Sequence, residues 1–248
     1  MTESPSTERP FLPAVGNGMP VAFYDTFTRL LGARPVHWQL VAQAGLAPGQ
    51  TVLEIGVGTG EVLLLAARVA PGATFVGLDP DPAVLELAAR KAARQGATLH
   101  LERGYADRLP QPDGSVDRVL SSFMFHHLPP DQQRAMLAEV HRVLAPGGSL
   151  HLSDPDASEP GVVGLFARHA PGHDHAHDHD HGHDHGHDHG HGAGHGHEAA
   201  ASPHLVDAQD LRTMLAEAGF TGIDAVSHRS RRLGRVVFHR AVKPASMP

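Results

Sequence analysis

The order of elements predicts an α/β fold, doubly wound on a mostly parallel seven-stranded sheet and finished by a C-terminal antiparallel hairpin. Three observations predict it. Short apolar runs alternate with stretches of helical periodicity from Thr51 to Ser153, the pattern of parallel strands joined by crossover helices. A glycine-rich turn links the first such strand to the first helix. Two further strand-like runs close the chain with only a short turn-rich segment between them, too little for a parallel crossover.

Each element follows from its pattern. TVLEIG (51–56) is an apolar run ending in glycine, a buried strand. Glu61–Ala70 reads as a helix and ATFVGLD (73–79) as the second strand. Pro82–Gln95 sets Val84, Leu85, Ala88 and Ala92 at helical spacing. Thr98–Glu102 and Ser115–Ser122 read as the third and fourth strands. Asp131–Leu144 reads as a helix capped by Asp131 and stopped by Pro146-Gly147-Gly148, and Ser149–Ser153 as the fifth strand. After an interruption come a helix over Asp207–Ala218 with Gly219 as its C-cap, then strands near Gly222–Ser227 and Arg235–Val242.

The organisation is one decorated domain. Residues 1–20, with Pro5, Pro10, Pro13, Pro20, Gly16 and Gly18, are expected to form a flexible arm. Residues 21–154 hold N-terminal helices and the core, and the helix expected over Val21–Ala44 is broken near Gly32 and Pro35. Residues 155–203 form an insertion, and 204–248 complete the same domain.

Composition narrows the function. A formal charge of -7 and no Lys/Arg cluster leave no basic footprint for nucleic acid. The chain has no cysteine, which removes disulfides, thiolate metal sites and a thiol nucleophile. MTESPSTERP lacks the basic start and apolar run of a signal peptide. The longest apolar stretch, Val62–Ala70, is too short for a bilayer and contains Arg68. A soluble cytoplasmic protein that binds neither membrane nor nucleic acid is the expectation.

The chemistry-bearing motif is Glu54-Ile55-Gly56-Val57-Gly58-Thr59-Gly60. Closely spaced glycines between strand and helix let a ligand approach the backbone without Cβ interference. A dinucleotide fingerprint, G-x-G-x-x-G, needs glycine where this chain has Glu61. Glu54, two residues before the first glycine, repels a pyrophosphate and suits a ligand carrying an ammonium or sulfonium, so adenosylmethionine fits better than NAD. Asp79 closes the second strand, where a carboxylate can accept both ribose hydroxyls. Asp107, after the third strand, is placed to accept from an adenine amino group. Taken singly, a glycine turn also serves as a tight connection, and Asp79-Pro80 also caps a helix.

Together the motifs resemble a known family. VLEIGVGTG, VGLDPDPAVLELAARKA, GYADRLPQPDGSVDRVLSSFMFHHL and LAEVHRVLAPGGSLHLSDP are similar, in order, to motifs of class I S-adenosylmethionine-dependent methyltransferases. Their likeness is nearest to the subgroup of ubiquinone/menaquinone-biosynthesis methyltransferases. The resemblance covers about 35–154 and resumes at 205–242, where LRTMLAEAGFTGIDAV resembles the family's late helix and strand. It implies a Rossmann-like fold, Gly56, Gly58 and Gly60 around the methionine part of S-adenosylmethionine, Asp79 on the ribose and Asp107 near adenine. Glu54 stands where many relatives have aspartate. The resemblance also argues against arsenite methylation, which in relatives relies on thiolates this chain lacks.

Methyl transfer from a sulfonium is an in-line displacement in which the protein supplies mainly proximity and alignment, worth roughly 7–11 kcal/mol of barrier. A base is needed only where a small-molecule acceptor must lose a proton. His126, His127 and Asp154 are the candidates, with a pocket-wall role for the two histidines as the alternative that the resemblance implies. The acceptor is expected between the N-terminal helix (Tyr24, Phe27, Trp38) and the segment after the fifth strand.

The insertion carries a second chemistry. Twelve histidines and five aspartates lie between His173 and His197. The histidines are His173, His175, His177, His179, His181, His183, His185, His187, His189, His191, His195 and His197. Imidazoles with nearby carboxylates suit Zn²⁺, Ni²⁺, Cu²⁺ or Co²⁺, with Zn²⁺ or Ni²⁺ the expected ions. The spacing defines no single site but offers many interchangeable ligands, and the other reading is a solvated low-complexity segment. A metal-buffering protein on this scaffold, without turnover, is therefore the rival to an enzyme.

Overall fold

A computed structural model describes residues 32–160, 204–230 and 232–245. It shows helix α1 (Ala33–Ala44), strand β1 (Thr51–Ile55), α2 (Glu61–Val69), β2 (Thr74–Asp79), α3 (Pro82–Gln95), β3 (His100–Arg103) and β4 (Val116–Ser122). A single 3₁₀ turn (Phe125–His127), α4 (Pro130–Val143), β5 (Leu144–Pro160), α5 (Ala208–Glu217), β6 (Thr221–Ser230) and β7 (Gly234–Val242) follow.

The strands form one seven-stranded sheet in the order β3-β2-β1-β4-β5-β7-β6. β1 to β5 run parallel, and β7 pairs antiparallel with both β5 and β6. This is the expected α/β fold, with the C-terminal hairpin folded back so that β7 lies inside and β6 at the edge. Strand order reverses between β1 and β4, and a doubly wound sheet binds its ligands in the crevice outside the strand ends at such a point.

Alternation along the strands assembles two cores. Leu53 and Ile55 of β1 pack with Met136, Leu137 and Val140 of α4 and Leu211 and Leu215 of α5. Val52 points to the other face, in a cluster with Val36 and Leu40 of α1, Leu63 of α2 and Phe238 of β7. Each fully buried Leu or Phe contributes roughly 1.5–3 kcal/mol. β1 is buried on both faces from Val52 to Ile55, and Glu54, a carboxylate at 2% exposure, interrupts that apolar run.

Helix ends follow local chemistry, with four differences from the expected pattern. Asp81 caps α3, its side chain accepting from Ala83 N, and Asp207 caps α5 by accepting from Gln209 N and Asp210 N. Pro35 does not break α1; it sits in the first turn, where N–H groups lack helical partners anyway. Asp131 is not the cap of α4: the N-cap is Pro129 without a side-chain bond, Pro130 opens the helix and Asp131 lies in its first turn, near the positive end of the dipole. The C-cap of α5 is Ala218, with Gly219 following at φ 94°. β5 continues past Ser153 to Pro160 because β7 pairs with Asp154, Pro155 and Pro160, so the prolines that appear to end the strand are accommodated within it.

Candidate cofactor and acceptor site

The glycine loop leaves β1 at the switch point and is held mainly by its own backbone. Gly56 N and Val57 N donate to Leu78 O at 2.8 and 3.0 Å, and Gly60 N donates to Val57 O at 2.9 Å. Gly58 has φ 49° with nothing within 4 Å of where a Cβ would stand, so its backbone borders open space. Gly60, at φ 82°, would place a Cβ 3.1 Å from the Cβ of Ala88, which fixes α2 close against α3.

Asp79 ends β2 beside this loop and is 7% exposed. Its Oδ2 accepts from Gly58 N at 2.8 Å and its Oδ1 from Asp81 N at 3.0 Å. Burial raises its pKa, the two N–H groups pull it back, and the charge of Asp81 adds to the rise. Glu54 is the more exceptional acid. Burial pushes its pKa well up, a hydrogen bond from the Leu63 backbone opposes this, and Asp79 raises it further. Its Oε2 is buried with no hydrogen-bond partner among the described residues.

The structure thus brings Glu54, Gly56, Gly58, Gly60 and Asp79 together. Asp107 stands half-buried in the turn after β3, at the strand neighbouring β2. Lys91, a residue the motif pattern does not single out, fastens the loop to α3: its Nζ donates to Thr59 O at 2.9 Å and Glu61 Oε1 at 2.8 Å. Its signal in the sequence is a lysine within the helical stripe of Val84, Ala88 and Ala92.

The second half of the site lies where β4 and β5 end. Phe123 has φ 53°, a conformation that strains a non-glycine residue by about 1–2 kcal/mol. Its N–H donates to Ser153 O at 2.9 Å, and the next residue, Met124, lies against Gly56. The 3₁₀ turn then presents His126. Asp154 grips it twice: Oδ2 accepts from His126 N, and Oδ1 stands 2.9 Å from Nδ1. Burial lowers the pKa of His126, but the charge and hydrogen bond of Asp154 outweigh it and leave the pKa raised. The ring of His127 lies 4.1 Å from that of His126, and burial together with the His126 charge lowers its pKa to about 3.

Other expected residues fall elsewhere. Trp38, half exposed, lines a polar groove of about 170 Å³ with Arg34, His37, Glu61, Arg68 and Gln95. Trp38 thus projects from α1 towards α2, and the same helix meets β5 through Gln43, whose Oε1 stands 3.5 Å from His151 Nδ1. Tyr24, Phe27 and the histidines from His173 to His197 lie outside the described residues. Among the described residues no cluster of three or more metal-ligating side chains occurs, and no helix is long and apolar enough to cross a membrane.

Residues 52–148 match the family model described as a methyltransferase domain. The demethylmenaquinone methyltransferase of Thermus thermophilus is 36% identical over 148 residues, 58% of this chain and 66% of that protein. By these matches the chain carries a methyltransferase domain over residues 52–148. An arsenite methyltransferase of Halobacterium salinarum is 36% identical over 115 residues, 46% of this chain and 29% of that protein. The chain thus spans less than two thirds of these curated relatives. The fold is shared with a methyltransferase of Haemonchus contortus solved with phosphomonomethylethanolamine and S-adenosylhomocysteine, at TM-score 0.64 and 15% identity, covering 85% of this chain and 52% of that one.

Proposed function

We propose that this protein transfers a methyl group from S-adenosylmethionine to a small-molecule acceptor. The observation that carries it is the buried, partly unpartnered carboxylate of Glu54 beside the glycine loop. A buried acid without full pairing is costly. A ligand with an ammonium or sulfonium relieves that cost, whereas a pyrophosphate aggravates it, so the donor set fits S-adenosylmethionine and disfavours NAD. When bound, the ligand supplies an activated methyl group on a sulfonium. Gly56, Gly58 and Gly60 would border its methionine part, Asp79 its ribose and Asp107 its adenine. The demethylmenaquinone relatives support a small organic acceptor, and the lack of cysteine disfavours arsenite. The acidic charge and the absence of a membrane-crossing helix among the described residues support a cytoplasmic setting without nucleic-acid or membrane partners.

Calorimetric titration of the metal-free full chain with S-adenosylhomocysteine, with NAD as control, tests this. Saturable binding of the first alone is expected. A folded protein that binds neither, or binds NAD, overturns it and brings forward metal buffering as the function.

The twelve histidines and five aspartates between His173 and His197 support a second property, uptake of Zn²⁺ or Ni²⁺. Equilibrium dialysis should show several ions bound by the full chain and lost when 173–197 is deleted, with uptake weakening below about pH 6.5 as the imidazoles protonate. Equal uptake by the deleted chain would refute it.

A further inference from the structure

We propose that β6 is a docking edge for a second copy of this chain, the two β6 strands pairing antiparallel about a two-fold axis at Val226. This contact stands independently of methyl transfer, at the sheet edge further from the glycine loop.

The two edges of the sheet are finished differently. β3 is four residues long, and three of them, His100, Glu102 and Arg103, carry titratable side chains. Glu102 also accepts from Gln111 Nε2 at 2.9 Å, so the following loop folds back beside it. Short, charged edges of this kind resist pairing with another chain. β6 is ten residues long, has no proline or lysine, and carries one acid, Asp224, and one arginine, Arg229. After a register shift near its start it pairs regularly with β7 from Asp224 to Ser230. Residues 224–229 are all exposed, so neither helix layer covers them. Among the described residues, no hydrogen bond joins the backbone of 222–229 to any segment outside the hairpin. Every second residue of a paired strand turns its N–H and C=O away from its partner, which leaves β6 a row of open donors and acceptors.

Symmetry then selects the register. Identical edge strands that pair antiparallel are related by an axis perpendicular to the sheet, so opposed residues share a face. β7 shows which residues those are. Asp224, Val226 and His228 stand opposite Arg240, Phe238 and Val236, whereas Ala225 and Ser227 stand opposite His239 and Val237. A slip by one residue would oppose side chains of different faces and is forbidden. Centred on Val226, the seam sets Val226 against its own copy, Asp224 against the partner's His228 and Ala225 against the partner's Ser227.

Each of these pairs is complementary. Val226 is 54% exposed, and at the axis it meets an identical side chain, so both leave water. Asp224 engages Arg240 through Oδ2 alone, at 3.4 Å, which leaves Oδ1 for an imidazole N–H. The axis repeats that hydrogen bond on its other side, and cross-strand pairs of this kind stabilise a sheet. No like charges oppose one another. A slip by two residues sets Val226 against His228 or Asp224 and loses both contacts. The seam joins two seven-stranded sheets into one. Their strands run in opposite senses, so the two glycine loops open at opposite ends of the assembly.

A seam of one strand pair lies at the small end of interfaces, below roughly 1,200 Å², so sedimentation velocity of the metal-free full chain should show a monomer–dimer equilibrium at about 10–100 µM. Val226→Lys should weaken dimerisation by about tenfold or more while Tm stays within about 2 °C, the site being on the surface. The chain has no cysteine, so one introduced thiol reports the register. Val226→Cys should form a disulfide dimer under mild oxidation, because opposed Cα atoms of an antiparallel pair lie about 4.5–5.5 Å apart, within disulfide range. Ala225→Cys and Ser227→Cys should crosslink poorly alone and readily when mixed. A monomer throughout that range, a dimer indifferent to Val226→Lys, or Ala225→Cys alone crosslinking as fast as Val226→Cys overturns the inference. So does a dimer that disappears when 173–197 is deleted, since the contact would then lie in the insertion.

Discussion

The two halves of the site are built from different materials. At the ends of β1 and β2, the glycine loop is fixed by backbone bonds to Leu78 O and Val57 O and by Gly58 N on Asp79. At the ends of β4 and β5, the turn is fixed by the side chains of Asp154 and Gln133, with Phe123 in a strained conformation. The first half, the proposed cofactor side, rests chiefly on backbone geometry, with the side chains of Asp79 and Lys91 tying it to β2 and α3. The second half, the proposed acceptor side, rests on side chains that reach the turn from β5 and α4.

Acid should separate the halves by the largest margin. Three histidines on the β4–β5–β7 side are held neutral. Burial, with the His126 charge, lowers His127 to about 3. Burial, with Arg118 and Arg240, lowers His151 to about 3. Burial, opposed by Asp156 and aided by Arg212, lowers His239 to about 4. Their folded values lie below the unfolded value of about 6.5, so the unfolded chain binds more protons in acid. Stability is full above about pH 6.5 and falls as pH drops towards the folded values, each histidine contributing up to about 1.4 kcal/mol per pH unit. His126 runs the other way: its contribution is present below about pH 6.5 and is lost as pH rises through its raised folded value. Amide hydrogen exchange between about pH 7 and 5 should show β5 and β7 losing protection before β1 and β2. Loss of protection in β1 first would break the comparison.

A smaller effect is expected where one side chain does support the backbone-built half. Lys91→Met removes the ammonium from Thr59 O and Glu61. A charge-assisted contact of this kind is worth roughly 1.5 kcal/mol, so S-adenosylhomocysteine should bind about tenfold more weakly. Unchanged calorimetric affinity would mean that the backbone alone suffices. The smallest effect is expected outside both halves. Asp81→Ala deletes the α3 cap, costing about 1 kcal/mol and lowering Tm by about 2–4 °C, with ligand affinity within about threefold. A thermal melt and the same titration check both parts.

This difference in materials also explains what the sequence makes legible. The glycine loop, Glu54 and Asp79 are readable because backbone geometry demands glycine at fixed spacing, and the strand periodicity around them carries all seven strands. The pairing of His126 with Asp154 is not readable, because 28 residues and the whole of α4 separate two residues that only the sheet brings together. Residue type alone makes them candidates, no stronger than His127, which burial renders inert as a base near neutrality. The length of β5 is hidden for a similar reason: the expected strand stops at Ser153, while pairing of Pro155 and Pro160 with Val236 and Gly234 of β7 continues it. Lys91 stays hidden because a lysine on a helix reads as solvent-facing until the helix is docked.

Glu54 tests the central claim most directly, since its carboxylate is poorly satisfied in the protein alone and suited to a cation. S-adenosylmethionine would be titrated into the full chain and into Glu54→Gln, with the melting temperature of each ligand-free protein measured alongside. The account expects opposite signs: affinity falls by about 10- to 100-fold as a charge-assisted contact is lost, while the ligand-free protein melts at the same or a higher temperature because an unpaired buried acid has gone. Undiminished affinity, or a variant that binds NAD no worse than S-adenosylmethionine while the unmodified chain does the same, would contradict it.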